Sequence, residues 1–158
     1  MVKLKYNSYD VVLQEIPNEI SLAFTITGCQ LACVGCHSDY LWNKDNGKEL
    51  TDELFEKIVL KYDGLISSVL FMGGEWESPE LITKLVIAKR LGLKTALYTG
   101  LNHKQMERSY QRIVTNLDYL KTGKWIQELG GLDSPTTNQR LVNIKTGENL
   151  NKYFLALT

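Results

Sequence analysis

Short apolar segments alternate with amphipathic segments along this chain, and this alternation limits the fold more than any other feature. Four segments rich in β-branched and apolar residues predict buried strands, at residues 20–27, 66–72, 94–98 and 117–120. Helices are predicted between them, from Thr51 to about Lys61, from Ser78 to Gly92 and from His103 to Thr115. Strands that alternate with helices predict an α/β fold, with parallel strands and helices packed outside.

The length of the chain limits the number of domains. At roughly 100–200 residues per domain, 158 residues predict one domain over residues 1–158. A complete eight-fold βα barrel is excluded, because that fold needs about 250 residues.

Composition argues against several classes of partner. The chain has 18 basic and 18 acidic residues, so its net charge of zero gives no long-range attraction for nucleic acid or anionic lipid. No apolar run approaches the ~20 residues that cross a membrane, and the first residues have no signal-peptide pattern. We therefore expect a cytoplasmic protein with no membrane and no nucleic-acid partner.

Polar and glycine residues follow each predicted strand. Parallel α/β folds place their chemistry where the strands end, at the carboxyl edge of the sheet. We expect four segments at or near this edge: the cysteine loop, Gly73-Gly74-Glu75, Thr99-Gly100 and 118–121.

All three cysteines lie within one eight-residue segment, as Cys29, Cys33 and Cys36. An odd number in a cytosolic chain does not favour disulfides. A loop with this spacing can bind three irons of a four-iron cluster, which ordinarily takes four cysteines, and so leaves one iron open. Zinc bound by the cysteines and His37 is an alternative, although adjacent Cys36 and His37 rarely converge on one ion. Three ordinary buried cysteines would not explain the close spacing.

The cysteine segment resembles the signature of the radical S-adenosylmethionine superfamily, which also follows the first strand. Gly35 stands where that superfamily often has an aromatic residue. Several other segments are similar to the activating proteins of anaerobic ribonucleoside-triphosphate reductases: residues 36–42, 71–75, 118–123, 128–132 and 134–140. The resemblance covers nearly the whole chain and implies an incomplete (partial) βα barrel of parallel strands with outer helices.

The resemblance also implies an enzyme with two cofactors, a 4Fe-4S cluster and S-adenosylmethionine. The reduced cluster would cleave S-adenosylmethionine to methionine and a 5′-deoxyadenosyl radical. That radical would abstract a hydrogen atom from a glycine of anaerobic ribonucleotide reductase and leave a glycyl radical. A flavodoxin- or ferredoxin-like protein would supply electrons. No catalytic residue is implied beyond the cluster and cofactor.

Site residues follow from the same resemblance. Cys29, Cys33 and Cys36 would bind the metal cluster. S-adenosylmethionine would contact six residues: Gly73, Gly74, Glu75, Thr99, Asp118 and Lys121. Backbone carbonyls at the two glycines and the carboxylate suit an ammonium group. Asp118 and Lys121 are equally explained as a turn cap and a solvated charge. Contact with the partner or a nucleoside is predicted for Asn138, Gln139 and Arg140, which also suit a polar turn.

Two other functions stay open at this point. One is a radical enzyme that acts on a small molecule, which would need its own substrate pocket. The other is a non-catalytic interaction module with zinc on the three cysteines. An incomplete barrel would expose its cofactor on one side, and we expect a large partner to cover it by inserting the loop that carries the glycine.

Overall fold

The computed structural model describes residues 3–28 and 47–155. Seven strands of these residues form one sheet: β1 (Lys5–Val12), β2 (Ser21–Ile26), β3 (Lys48–Glu49), β4 (Ser68–Met72), β5 (Lys94–Tyr98), β6 (Tyr119–Thr122) and β7 (Arg140–Asn143). The helices are α1 (Asp52–Leu60), α2 (Ser78–Arg90), α3 (His103–Ser109), α4 (Gln111–Val114) and α5 (Lys152–Leu155), with a 3-10 turn at Glu75–Glu77.

The strands lie in the order β3-β1-β2-β4-β5-β6-β7. The four central strands, β2, β4, β5 and β6, are parallel, as the sequence predicts. The outer strands β1, β3 and β7 pair antiparallel, and the sheet does not close within the described residues. The α/β class and the predicted parallel strands are therefore confirmed, and both margins of the sheet add antiparallel strands.

Apolar residues on alternate strand positions divide the core between the two faces of the sheet. The helix-covered face packs Phe24 and Phe71 against Phe55 of α1, with ring centroids 5.3–5.6 Å apart. Helices α2, α3 and α4 add apolar residues to this same face. The opposite face, called the second face below, packs Ala23, Leu70 and Ala96 against Ile16.

Two local signals position the helices as predicted. The Thr51 hydroxyl accepts a hydrogen bond from Leu54 N at 3.0 Å and caps α1. Pro79 occupies the first turn of α2. The predicted helix from His103 to Thr115 is instead two helices, because Tyr110 leaves the helical conformation between α3 and α4.

None of the helices in the described ranges has the length and hydropathy needed to span a membrane.

Candidate cofactor site at the carboxyl edge of the sheet

The carboxyl ends of the parallel strands place four segments at one edge of the sheet. Strand register aligns Thr25 with Met72, Met72 with Tyr98, and Tyr98 with Lys121. The residues that follow each strand therefore leave the sheet at the same edge. Gly28, which precedes the cysteine segment, is among them. Cys29, Cys33 and Cys36 lie outside the described residues.

A glycine pair makes the turn that leaves β4. Gly73 and Gly74 have φ values of +93° and +115°, in the region that glycine adopts without strain. Gly73 N donates to the Tyr98 carbonyl at 2.9 Å and ties the turn to β5. A Cβ on Gly73 would lie 2.7 Å from Cη2 of Trp76. The Trp76 ring thus packs directly against the backbone of the turn.

Glu75 is the buried acid of this edge, with 3% of its surface exposed. Its Oε1 accepts a hydrogen bond from the Thr99 hydroxyl, whose oxygen in turn accepts one from Leu101 N at 3.1 Å. No hydrogen-bond partner for Oε2 is found in the described part of the chain. Burial raises the pKa of Glu75, and the Thr99 hydroxyl and the backbone amides of Glu75 and Gly74 oppose that rise.

A buried carboxylate oxygen without a partner is costly unless a ligand satisfies it. An ammonium group would supply hydrogen-bond donors to this oxygen and a positive charge to the carboxylate. The glycine turn directly precedes Glu75 in the chain. Gly73, Gly74, Glu75 and Thr99 therefore lie together, as predicted, and their chemistry fits the amino group of S-adenosylmethionine.

Lys121 lies near the same edge, on the second face. Its Nζ is 4.4 Å from the centroid of the Tyr98 ring. The Tyr98 hydroxyl donates to the backbone carbonyl of Glu15, which holds the segment before β2 over this face. Burial lowers the pKa of Lys121, and the charge of Glu15 opposes this. Lys121 is thus a partly buried cation rather than the solvated surface charge that was the alternative.

Asp118 does not lie at this edge, and that expectation is wrong. It precedes β6, and its Oδ2 accepts a hydrogen bond at 2.9 Å from Thr95 N, near the start of β5. Its backbone carbonyl accepts from Ile144 N at 2.8 Å, and Lys145 Nζ lies 3.9 Å from its Oδ1. Asp118 therefore joins strands at the amino edge. The sequence prediction placed the end of this strand two residues too early.

Asn138 and Gln139 hold the turn that follows β6. Asn138 Nδ2 donates to the Lys124 carbonyl, and Gln139 Nε2 donates to the Gly123 carbonyl, both at 3.1 Å. These two hydrogen bonds match the polar turn that the sequence analysis gave as the alternative. Each of them uses one amide donor of the side chain. Arg140, in contrast, is exposed at the start of β7.

Sequence reasoning missed two contributors to this edge. Glu15 was not selected because nothing local indicates that its segment crosses the sheet to Tyr98. Lys124 was also missed, although its position shortly after a predicted strand was a usable signal.

Gly73→Ala is expected to disrupt this turn. The added Cβ would meet Trp76 at 2.7 Å, and alanine is strained at a φ of +93°. We expect a loss of about 1–3 kcal/mol in the free energy of unfolding, together with weaker binding of S-adenosylmethionine. Urea unfolding and equilibrium dialysis measure the two effects. Gly64→Ala is the matched control, because Gly64 has a φ of +84° but no atom within 4 Å of its Cβ position. Equal losses from both variants would show that only backbone strain matters at Gly73.

Comparisons with known proteins agree with the chemistry of this edge. The profile of a family described as "4Fe-4S single cluster domain" matches residues 20–143. The chain is 41% identical over 79 residues to a pyruvate formate-lyase-activating enzyme of Clostridium pasteurianum. This alignment covers 46% of this chain and 33% of that protein. It is 28% identical over 116 residues to an anaerobic ribonucleoside-triphosphate reductase-activating protein of Vibrio cholerae, covering 65% of this chain and 72% of that protein. A protein of the same name from Salmonella typhi is 22% identical over 113 residues, covering 66% of this chain and 73% of that protein.

The chain thus spans about a third of the first relative and nearly three quarters of the other two. The matches confirm the resemblance predicted from the cysteine segment. The family match also confirms the predicted iron–sulfur class, and the named relatives are activating proteins.

Proposed function

The chain belongs to the family of 4Fe-4S single cluster domains, and on that premise we propose that it activates an anaerobic ribonucleoside-triphosphate reductase by forming a glycyl radical on it. The chain covers 73% of the reductase-activating protein of Salmonella typhi but only 33% of the pyruvate formate-lyase-activating enzyme, and this difference favours the reductase as the partner. The structural observation that carries the proposal is the buried Oε2 of Glu75, which has no hydrogen-bond partner among residues 3–28 and 47–155 and lies at the edge where the cysteine segment begins.

When bound, the cluster and S-adenosylmethionine would supply the electron transfer and the radical chemistry that removes a hydrogen atom from the target glycine. The chain must hold both cofactors and keep water away from them. Cys29, Cys33 and Cys36 would hold the cluster, and three cysteine ligands would leave one iron free for S-adenosylmethionine.

Glu75 accepts hydrogen bonds from the amino group of S-adenosylmethionine, aided by the backbone of Gly73 and Gly74. Thr99 holds the Glu75 carboxylate in place through its hydroxyl, because that hydroxyl is itself fixed by Leu101 N. Binding of the ammonium group then supplies the opposite charge that the buried carboxylate lacks in the described residues.

Lys121 is proposed to face a negatively charged group of the cofactor, such as its carboxylate. Lys121 makes no salt bridge within residues 3–28 and 47–155, and it is held against the Tyr98 ring. The second face, on which Lys121 lies, then forms the interior of an incomplete barrel. Asp118 receives no role in cofactor binding, because it lies at the opposite edge.

The direct test is electron paramagnetic resonance of a mixture of the reconstituted, reduced protein, S-adenosylmethionine and the reductase. The expected result is a glycyl-radical signal on the reductase that requires both S-adenosylmethionine and the activating chain. A flavodoxin- or ferredoxin-like protein is the expected electron donor, and the cytoplasm the expected location. A parallel sample contains pyruvate formate-lyase in place of the reductase.

Three outcomes would contradict the proposal. A signal on pyruvate formate-lyase alone would reassign the partner. Formation of 5′-deoxyadenosine with no radical on either protein would favour an enzyme that acts on a small molecule. Purified protein that contains zinc, with no iron or sulfide, would favour the non-catalytic module.

A further inference from the structure

A basic groove of about 490 Å³ lies beside the candidate cofactor site. It runs between the start of α3 and the turn that follows β6. Among the residues that the structure describes, its charged lining residues are Lys104, Lys124 and Arg140, and no carboxylate lines it. A groove with this lining favours an anionic occupant.

The three cations of the groove have no partner that neutralises them in the described part of the chain. None of Lys104, Lys124 and Arg140 makes a salt bridge there. His103, which also lines the groove, is paired with Glu107 at 3.0 Å. Because the net charge of the whole chain is zero, this local concentration of positive charge is not a consequence of composition.

The groove adjoins the Glu75 site through the backbone. Gly100 lines the groove and directly follows Thr99, whose hydroxyl binds Glu75. Thr99 N donates to the Lys121 carbonyl at 2.9 Å, and Gly123 N donates to the Leu101 carbonyl at 2.8 Å. The wall of the groove is therefore built from the same strand ends that place Glu75 and Lys121.

The donors in the groove suit an extended polypeptide better than a phosphate group. A phosphate site usually brings several fixed donors together on one anion. Here the side chains of Lys104, Lys124 and Arg140 are exposed. One amide donor of Asn138 and one of Gln139 are already bound to the carbonyls of the β6 turn. Separate, exposed cations match the carboxylates of an acidic segment, which they attract and orient.

We propose that this groove binds an acidic segment of the partner enzyme, close in sequence to the glycine that receives the radical. The inference rests on the proposed function and extends it from the cofactor site to the site of docking. Bound in the groove, such a segment lies next to the edge that carries Glu75. Arg140 is then a partner contact, and Lys104 and Lys124 act with it.

The test is the affinity of the reconstituted protein for the reductase, measured by biolayer interferometry at low and high salt. Lys104→Glu/Arg140→Glu is expected to weaken binding at low salt by about tenfold or more, because two attractive charges become repulsive. Binding of the unaltered protein is expected to weaken as salt rises, whereas binding of the double variant is expected to strengthen, because salt screens its repulsion of the acidic segment.

The matched control is Lys57→Glu/Arg90→Glu, which makes the same change of charge at exposed positions in the last turns of α1 and α2. We expect it to bind the reductase like the unaltered protein. The single variant Lys104→Glu is expected to form 5′-deoxyadenosine normally without the partner, because Lys104 has no role in cofactor binding.

The outcomes separate this inference from the proposed function. If the double variant binds and activates the reductase as well as the unaltered protein, the groove assignment is wrong and the function stands. If the unaltered protein binds the reductase through the groove but forms no glycyl radical, the function is wrong and the groove stands. Lack of any binding by the unaltered protein overturns both.

ATP is the probe for a nucleotide site in the groove. The inference would also be overturned if the unaltered protein binds ATP saturably and the double variant does not, while the double variant keeps the full affinity for the reductase.

Discussion

Glu75→Gln is expected to lower the affinity for S-adenosylmethionine by roughly 10- to 100-fold while the fold is retained. The glutamine keeps the size of the side chain and an oxygen that can accept from the Thr99 hydroxyl. It lacks the charge that pairs with an ammonium group, and a charge-assisted hydrogen bond contributes about 1.5–3 kcal/mol. At about 1.4 kcal/mol for each factor of ten, this gives the expected range. Isothermal titration calorimetry on the reconstituted protein measures it.

The same variant is expected to be more stable than the unaltered protein at neutral pH, by about 1 kcal/mol, because a buried and incompletely paired charge is removed. Burial raises the pKa of Glu75 in the folded protein above its ordinary value of 4.5. The folded state therefore favours the protonated acid, and stability is lost as pH rises through the folded pKa. The advantage of the Glu75→Gln variant should accordingly disappear below the ordinary pKa of glutamate, where both states of the unaltered protein are protonated. Urea unfolding at several pH values, without S-adenosylmethionine, measures this trend.

Glu56→Gln is the matched control, because it makes the same chemical change at an exposed position of α1. We expect it to change neither cofactor affinity nor the pH dependence of stability. A Glu75→Gln variant that binds S-adenosylmethionine as tightly as the unaltered protein would refute the role of this carboxylate. A variant that is less stable at neutral pH would instead show that the charge of Glu75 stabilises the fold.

Cys36→Ser is expected to abolish cleavage of S-adenosylmethionine. The chain has three cysteines, so no spare thiol can replace a lost ligand. A serine hydroxyl is a poor substitute for the thiolate that an iron–sulfur cluster prefers. Iron and sulfide analysis of anaerobically reconstituted protein, and 5′-deoxyadenosine formed after reduction, measure the loss.

Ser38→Ala controls for disturbance of the same segment, because it removes a hydroxyl close to Cys36. It should retain both the cluster and the cleavage reaction. Full cleavage by Cys36→Ser would show that Cys36 is not a ligand. A thermal transition like that of the unaltered protein would show that loss of cleavage in Cys36→Ser is not a loss of fold.

The sequence predicted the central strands well because their signals are local. The apolar runs that become β2, β4 and β5 are bounded by glycine or threonine, and the strands lie within the predicted ranges. β1 was missed because its residues alternate irregularly between partial burial and exposure, so no regular period marks it as a strand. It forms because β2 offers an antiparallel partner.

The candidate site shows the same difference between features that local sequence predicts and features that depend on distant residues. Cysteine spacing indicated an iron–sulfur cluster, because ligand spacing is a property of neighbouring residues. The family resemblance added S-adenosylmethionine and the role of the Gly73-Gly74-Glu75 segment. The position of Asp118 was wrong because the limits of β6 depend on pairing of Tyr119 with Ala96 in β5. A shift of two residues along a strand is about 7 Å, which is about half the length of the four-residue β6 and changes which residues follow the strand.

By itself, therefore, the sequence determined the class of cofactor, the parallel core and the edge at which Gly73, Glu75 and Thr99 meet. Only the tertiary structure decided that Glu75 is buried, with one carboxylate oxygen unpaired among the described residues, and that Lys121 lies against the Tyr98 ring. It also brought Lys104, Lys124 and Arg140 to one groove. Burial and charge proximity arise between residues that are distant in sequence, and local patterns carry no information about such distances.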